Sequence, residues 1–500
     1  MRARSLAALA FAVAAAVPAF AADPALPARP EQIAFKAFQF DVPKAAKYRN
    51  TLKVGTQVIP VYVAEDHSLP LANVSFTFRA GSFLEPADKV GLASLTGTLM
   101  RKGGAGSRTA LEFDERADFL AANVSGFVGD TQAGAALGAL SYNLQPSLDL
   151  FFDMLTAPRF EQDRLDIEKG NVFESMKQRN DDAGDIADRE WDWLMNGSQH
   201  YASRPQTKKH VESITRDDLV KFHQAALRPE NIAIIAVSGD VDTKTILAEL
   251  GKRLGAWKPA GAATKVPWPP QGPNHVAKPG LYHVEKDIPQ GKVFIGHEGT
   301  TWKDPDQMQL QVMNYVLGGG GFTSRIMKKV RSDEGLAYSA GSSFGIGTWW
   351  PDDFRIYYQS KSSTVALAAK LSIDEMNRIR TQPVGQDELD GAKNYFVESF
   401  PRRFENPAAI VNLYANDEFI GRDHAYWEQY QANMRKITLA DVQRVAQKHL
   451  DPAKLVFLVV GKWADIEAGD PGKRASMKEF FDGKVTHLPL RDPFTLEPLP

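Results

Sequence analysis

Gln162-Asp163-x-Leu165-Asp166-x-x-Lys169, followed by Glu174-Ser175, returns in the second half of the chain as Gln386-Asp387-x-Leu389-Asp390-x-x-Lys393, followed by Glu398-Ser399, with every internal spacing kept. A second block behaves the same way. Ile214-Thr215 through Leu227-x-Pro229 and into the apolar run 232–237 reappears, at almost the same offset, as Ile437-Thr438 through Leu450-x-Pro452 and 455–460. The chain therefore holds two tandem copies of one domain. A period this long marks a domain duplication and not a solenoid, because each copy is long enough to bury its own core.

Working outward from the repeats, each copy mixes hairpins with helices. Residues 52–65 read as a hairpin, with Ile59, Val61 and Val63 alternating with other residues, and Pro60, which lacks a donor, predicts an edge strand there. Val74, Phe76 and Phe78 predict a half-buried strand; Leu92, Leu95 and Leu99 predict a helix over 91–102. A long helix over 162–179, another over 216–226 and a buried strand over 232–237 complete the first copy. This order predicts an α+β fold of two homologous domains in a clam-like arrangement, each a largely antiparallel sheet with helices packed on it. The boundaries are 44–258 for the first domain, 259–280 for a Pro/Gly-rich linker, 281–466 for the second domain and 467–500 for a tail expected to wrap the surface.

The composition, 43% hydrophobic and 24% charged over 500 residues, is that of globular material. Arg2 and Arg4 precede the apolar run 6–17, and Ala19-Phe20-Ala21 supplies small residues at cleavage spacing, so residues 1–21 read as an export signal. Its removal leaves 57 Lys and Arg against 61 Asp and Glu, a formal charge of −4. That balance gives no electrostatic footprint for nucleic acid or an anionic membrane. No later stretch approaches the roughly 20 apolar residues needed to span a bilayer. With Cys 0 there is no disulfide framework, thiolate metal site or cysteine nucleophile. The expected location is periplasmic or secreted.

Several short motifs stand in one order: Arg79-Ala80-Gly81-Ser82-x-x-Glu85, Gly91-Leu92-Ala93, Ile214-Thr215-x-Asp217-Asp218-Leu219 and Gly239-Asp240 in the first copy, then Asp304-Pro305-Asp306 and Gly335-Leu336-Ala337-Tyr338 in the second. Together they resemble the insulinase or pitrilysin family of zinc peptidases over nearly the whole chain. Active members of that family carry His-x-x-Glu-His directly after the Gly-Leu-Ala step, two imidazoles on one helical face and a glutamate that activates the bound water. Here those positions read Ser94, Gly97 and Thr98, and the third family ligand falls on Ser175, with Glu174 beside it. A hydroxyl is a poor zinc ligand and glycine offers nothing. The resemblance thus implies no zinc on this chain and no peptidase activity of the chain alone. Among the ten histidines no pair stands at i, i+3 or i, i+4; His200, His210 and His223 come nearest to a cluster.

The second copy retains Gly318-Gly319-Gly320-Gly321, then Arg331 and Tyr338 at a spacing of seven. In the family an arginine and a tyrosine at this spacing reach the active cleft from the second domain. A phenol can donate to a carbonyl oxygen that gains charge, and a guanidinium can fix the peptide or orient the phenol. Spacing alone favours an arginine capping a helix end and an ordinary strand tyrosine; the Gly335-Leu336-Ala337-Tyr338 context turns the reading toward the functional pair. The glycine run lacks the Gly-Lys-Ser/Thr ending of a phosphate loop and resembles the glycine-rich loop of the non-catalytic α-subunit of mitochondrial processing peptidase, a segment that handles substrate. The resemblance implies a zinc-free subunit of an exported heteromeric peptidase, as in bacterial two-chain relatives. The partner would bear His-x-x-Glu-His and the zinc, and unstructured peptides would be the substrate. The alternative is a non-enzymatic scaffold or peptide-binding protein on the same fold, as the core subunits of respiratory complexes resemble these peptidases.

Overall fold

The computed structural model describes Arg29, residues 40–261 and residues 266–499; the export-signal reading of residues 1–21 lies outside the described residues. The first half runs β1 (Arg49–Val54), β2 (Gln57–Glu65), β3 (Leu71–Phe78), α1 (Leu92–Lys102), α2 (Ala110–Leu120), β4 (Asn123–Val128), β5 (Ala133–Leu140), α3 (Leu144–Thr156), α4 (Gln162–Lys177), α5 (Ala183–Asn196), α6 (Lys208–Ser213), α7 (Arg216–Ala226), β6 (Ile232–Gly239) and α8 (Thr243–Ala256). The second runs β7 (Gly280–Glu285), β8 (Gln290–Glu298), β9 (Thr300–Thr301), α9 (Gln307–Asn314), α10 (Arg325–Met327), β10 (Ala337–Phe344), β11 (Ile346–Gly347), β12 (Asp353–Lys361), α11 (Val365–Thr381), α12 (Gln386–Ser399), α13 (Pro407–Ile420), α14 (Ala425–Lys436), α15 (Leu439–His449), β13 (Val456–Gly461), α16 (Trp463–Ala468) and β14 (Val485–Leu488).

Two six-stranded sheets result, ordered β1-β2-β6-β3-β5-β4 and β14-β7-β13-β8-β12-β10. Apart from the edge strands β1 and β14 they are the same sheet position by position, mixed but largely antiparallel, so the fold is α+β with two homologous domains as expected. Two details differ from the sequence reading. β2, which carries Pro60, is an inner strand: its ladder with β6 begins only at Val61, so the missing N–H falls just outside it. The C-terminal tail is more than a wrap, because Val485–Leu488 pairs parallel to β7 and takes the edge that β1 takes in the first sheet.

The repeated motifs turn out to be fold punctuation. Lys169 donates to Ile214 O (2.5 Å) and Lys393 to Ile437 O (3.0 Å), so in each copy the long helix is tied to the second repeated block. Thr215 and Thr438 then cap α7 and α15 in reciprocal boxes with Asp218 and Asp441, satisfying donors the helix starts leave open.

The halves exchange helices. α5 belongs to the first copy but lays Ile186, Ala187, Trp191 and Met195 on Val284, Phe294, Val456, Leu458 and Val460 of the second sheet. Its repeat mate α13, which begins and ends at the same offset as the first repeated block, packs on β2 and β6 of the first sheet. Tyr62 of β2 stacks on Tyr414 at 6.4 Å and donates to Glu418 at 2.6 Å, while Arg49 pairs with the same carboxylate at 2.7 Å. Each large side chain buried in these contacts contributes about 1.5–3 kcal/mol.

Candidate functional site

The helix that would carry a zinc site is α1. Its N-terminus is held by Glu85, whose buried carboxylate accepts from Ala93 N (3.0 Å) and Gly91 N (3.2 Å) and pairs with Arg204 (3.1 Å). Leu92, Leu95 and Leu99 face the core as their spacing predicts. Ser94 is exposed and Thr98 half-buried, one turn apart. Gly97, at the position of the family's glutamate, is buried where α1 packs on β4. A Cβ there would stand 2.7 Å from Phe127 C and 2.8 Å from Phe127 Cα, so the helix lies too close to the strand for any side chain. On α4, Ser175 is exposed, and Glu174, 66% exposed at its side chain, is paired with Lys177 at 2.6 Å. The residues of this site do not fit the family's zinc: Ser94, Thr98 and Ser175 stand at the donor positions, and the β4 backbone occupies the space of the water-activating glutamate at Gly97.

His200, His210 and His223, nearest to a cluster in the sequence, hold separate structural roles. His200 contacts Gln271 O (3.0 Å), His210 accepts from Thr207 N (3.2 Å), and His223 is buried with Nε2 3.0 Å from Leu155 O. Burial pushes His223 down to about 4 despite that hydrogen bond. Among the described residues one other group, Asp304, Asp306 and His449, places three ligand-type atoms within 4.8 Å of one another. Lys448 (2.7 Å) and Arg444 (2.8 Å) already pair with Asp306. Burial alone would raise that carboxyl, but hydrogen bonds from Lys448, His449 and Arg444 outweigh it and hold the group well below the usual carboxylate range. The cluster ties α9 to α15.

In the second half the sequence-predicted residues do come together. After α9 the backbone widens into a π-type turn, Tyr315–Gly319, and a 3-10 turn, Gly321–Thr323; a second π-type turn, Lys328–Asp333, carries Arg331. Such turns recur at functional sites. Gly318 is buried beneath β10, where a Cβ would stand 2.8 Å from Gly341 C, so its smallness serves packing and not peptide contact. Gly319, Gly320 and Gly321 remain at the surface.

The Arg331 guanidinium lies 4.7 Å from the ring of Phe322 and 4.5 Å from the ring of Tyr338, sandwiched between them. It has no carboxylate partner among the described residues. Each stacked face contributes about 0.5–1 kcal/mol at an exposed site and fixes the fork with its N–H donors free. Tyr338 sits in a bulge: Ala337 pairs with Ser360 but Ala340 with Tyr358, so two residues swell out of the edge strand β10. Bulges at sheet edges re-aim side chains, and Tyr338 is 83% exposed. A cavity of about 330 Å³ opens beside it, lined by Tyr338, Ser339, Lys292 and Tyr357 among others. Phe322, 67% exposed, was assigned no role by sequence reasoning, although it directly follows the glycines.

Residues 61–190 match the family model described as insulinase (peptidase family M16), and residues 213–396 match the one described as peptidase M16 inactive domain. The chain is 27% identical over 416 residues to the non-peptidase homolog YmxG of Helicobacter pylori, covering 80% of this chain and 91% of that protein. A crystal structure of a peptidase M16 inactive domain from Pseudomonas fluorescens superposes with a TM-score of 0.73 at 25% identity, covering 83% of this chain and 98% of that one. The periplasmic protease PqqL of Escherichia coli shares the fold, with a TM-score of 0.70 at 12% identity, and this chain covers 49% of its length. Among the described residues no helix is long and apolar enough to cross a membrane. The chain belongs to the insulinase (M16) peptidase family and is a member whose zinc motif is gone.

Proposed function

We propose that this chain is the zinc-free subunit of an exported two-chain M16 peptidase, periplasmic or secreted, that binds peptide and lends Arg331 and Tyr338 to a site whose metal and base belong to a His-x-x-Glu-His-bearing partner. One observation carries the reading: a guanidinium with no carboxylate partner among the described residues is held between Phe322 and the outward-aimed Tyr338 while α1 leaves no room for a catalytic side chain at Gly97. A structural arginine would be expected to pair with a carboxylate or a helix end, and an ordinary strand tyrosine to bury its ring.

The chemistry follows from what the two side chains can donate. Tyr338 offers a phenol to a peptide carbonyl oxygen as charge develops there, and Arg331 holds the phenol's ring while offering its own N–H groups to the peptide backbone. The open edge of β10 next to the bulge can pair with an extended peptide. That PqqL carries about as much chain again beyond the part matched here is consistent with a second unit being needed.

Mixing tests the reading. The purified chain and a zinc-bearing family partner, each alone, should leave an unstructured fluorogenic peptide uncut, and the mixture should cleave it. Arg331→Ala in the mixture should lower kcat/KM by about 10²-fold. A mixture no more active than the partner alone points instead to the scaffold alternative.

A further inference from the structure

A second, separate feature lies on the first half, where the linker crosses it. A cavity of about 1230 Å³ is bounded by Arg79, Phe83, Tyr201, Glu230 and the strap residues Trp268 and Pro270. This exceeds the roughly 300–1,000 Å³ of small-molecule pockets, so it has room for more than one amino-acid residue. The strap is pinned: Tyr201 OH donates to Gln271 O (2.9 Å) and His200 Nε2 stands 3.0 Å from the same oxygen. Trp268 is wedged against Trp349 (4.8 Å), Phe419 (5.1 Å) and Phe83 (6.4 Å), and Phe83 against Tyr201 (5.8 Å). The walls are therefore aromatic and preformed.

One charge in this cavity is uncompensated. The Arg79 backbone is fixed by its N–H to Asn231 O (2.8 Å), but its half-buried guanidinium makes no hydrogen bond or ion pair to any described residue. Burial lowers its proton affinity. Glu230 is already engaged by Arg228 at 3.0 Å. A half-desolvated guanidinium is costly to leave unpaired, and its planar fork matches a carboxylate bidentately. Among the described residues no lysine joins it in the lining, whereas a phosphate site would be expected to hold one. The rings of Phe83, Tyr201 and Trp268 in the same lining favour a carboxylate attached to an apolar body.

We propose that this cavity anchors peptide C-termini: Arg79 pairs with the terminal α-carboxylate, and an aromatic or aliphatic last side chain lies against Phe83, Tyr201 and Trp268. The site stands apart from Arg331 and Tyr338 and does not depend on their role. Fluorescence anisotropy of the full chain with an N-terminally labelled hexapeptide ending in Phe tests it. The free acid should bind about ten-fold or more tightly than the same peptide amidated. Arg79→Met should abolish that preference with a urea midpoint no lower than the parent's, since the guanidinium has no partner among the described residues to lose and its desolvation cost is removed. Arg79→Lys, a point charge without the fork, should keep a reduced preference, and Trp268→Ala should weaken acid and amide alike. Equal binding of acid and amide, no binding of either, a preference that survives Arg79→Met, or displacement of the peptide by equimolar inorganic phosphate would overturn the proposal.

Discussion

At the scale of single residues, Gly97 separates a lost site from a closed one. Replacing Gly by Ala inside a helix ordinarily gains about 1 kcal/mol. Here the new methyl would meet the Phe127 backbone, and overpacking of this kind costs about 1–3 kcal/mol. Gly97→Ala should therefore lower the urea midpoint, and the triple change Ser94→His, Gly97→Glu, Thr98→His should destabilise the chain without yielding stoichiometric zinc by metal analysis. His223 makes a second prediction. Its pKa is pushed down to about 4 in the folded chain, against about 6.5 unfolded. The unfolded state therefore takes up the proton first as pH falls, and stability drops between about pH 6.5 and 4, by about 3 kcal/mol in all. His223→Gln, which can still donate to Leu155 O but does not titrate, should flatten the pH dependence of the urea midpoint across that window.

At the scale of elements, what the sequence made legible was whatever is local or periodic. The α1 helix was readable because three leucines recur on one face, and the duplication because Lys169 and Lys393 must each reach a carbonyl at the same place. β14 was not, since so short a strand among prolines carries no pattern and its partner β7 lies at the opposite end of the second half. The position of Pro60 misled for a similar reason: only the register with β6 reveals that its missing donor is harmless. The Arg331–Tyr338 pairing was legible through family resemblance, whereas the flanking Phe322 and the convergence of Arg79, Tyr201 and Trp268 are products of tertiary folding with no period to read. The exchange of α5 and α13 belongs here too. Trp191 is buried on the second sheet with its indole N–H donating to Asp353. Trp191→Ala should cost about 3–5 kcal/mol by urea titration, because it opens a cavity and strips a partner from a half-buried carboxylate.

At the scale of the whole molecule, that reciprocal exchange makes the two halves one cooperative body although the sequence describes two domains. A protease nick confined to the linker should leave the halves co-eluting in gel filtration, with a single unfolding transition. The same reciprocal packing suits the proposed role, in which Arg331 and Tyr338 would be presented to a second, metal-bearing chain. The most direct measurement of that role is the steady-state kinetics of the mixed pair with Tyr338→Phe in this chain. Tyr338 is 83% exposed, so its hydroxyl can be removed without disturbing the fold. The account predicts that kcat falls by about 10²–10³-fold with KM little changed, as for loss of one donor to a developing oxyanion. An unaltered kcat, or chelator-sensitive cleavage by this chain with no partner present, would contradict it.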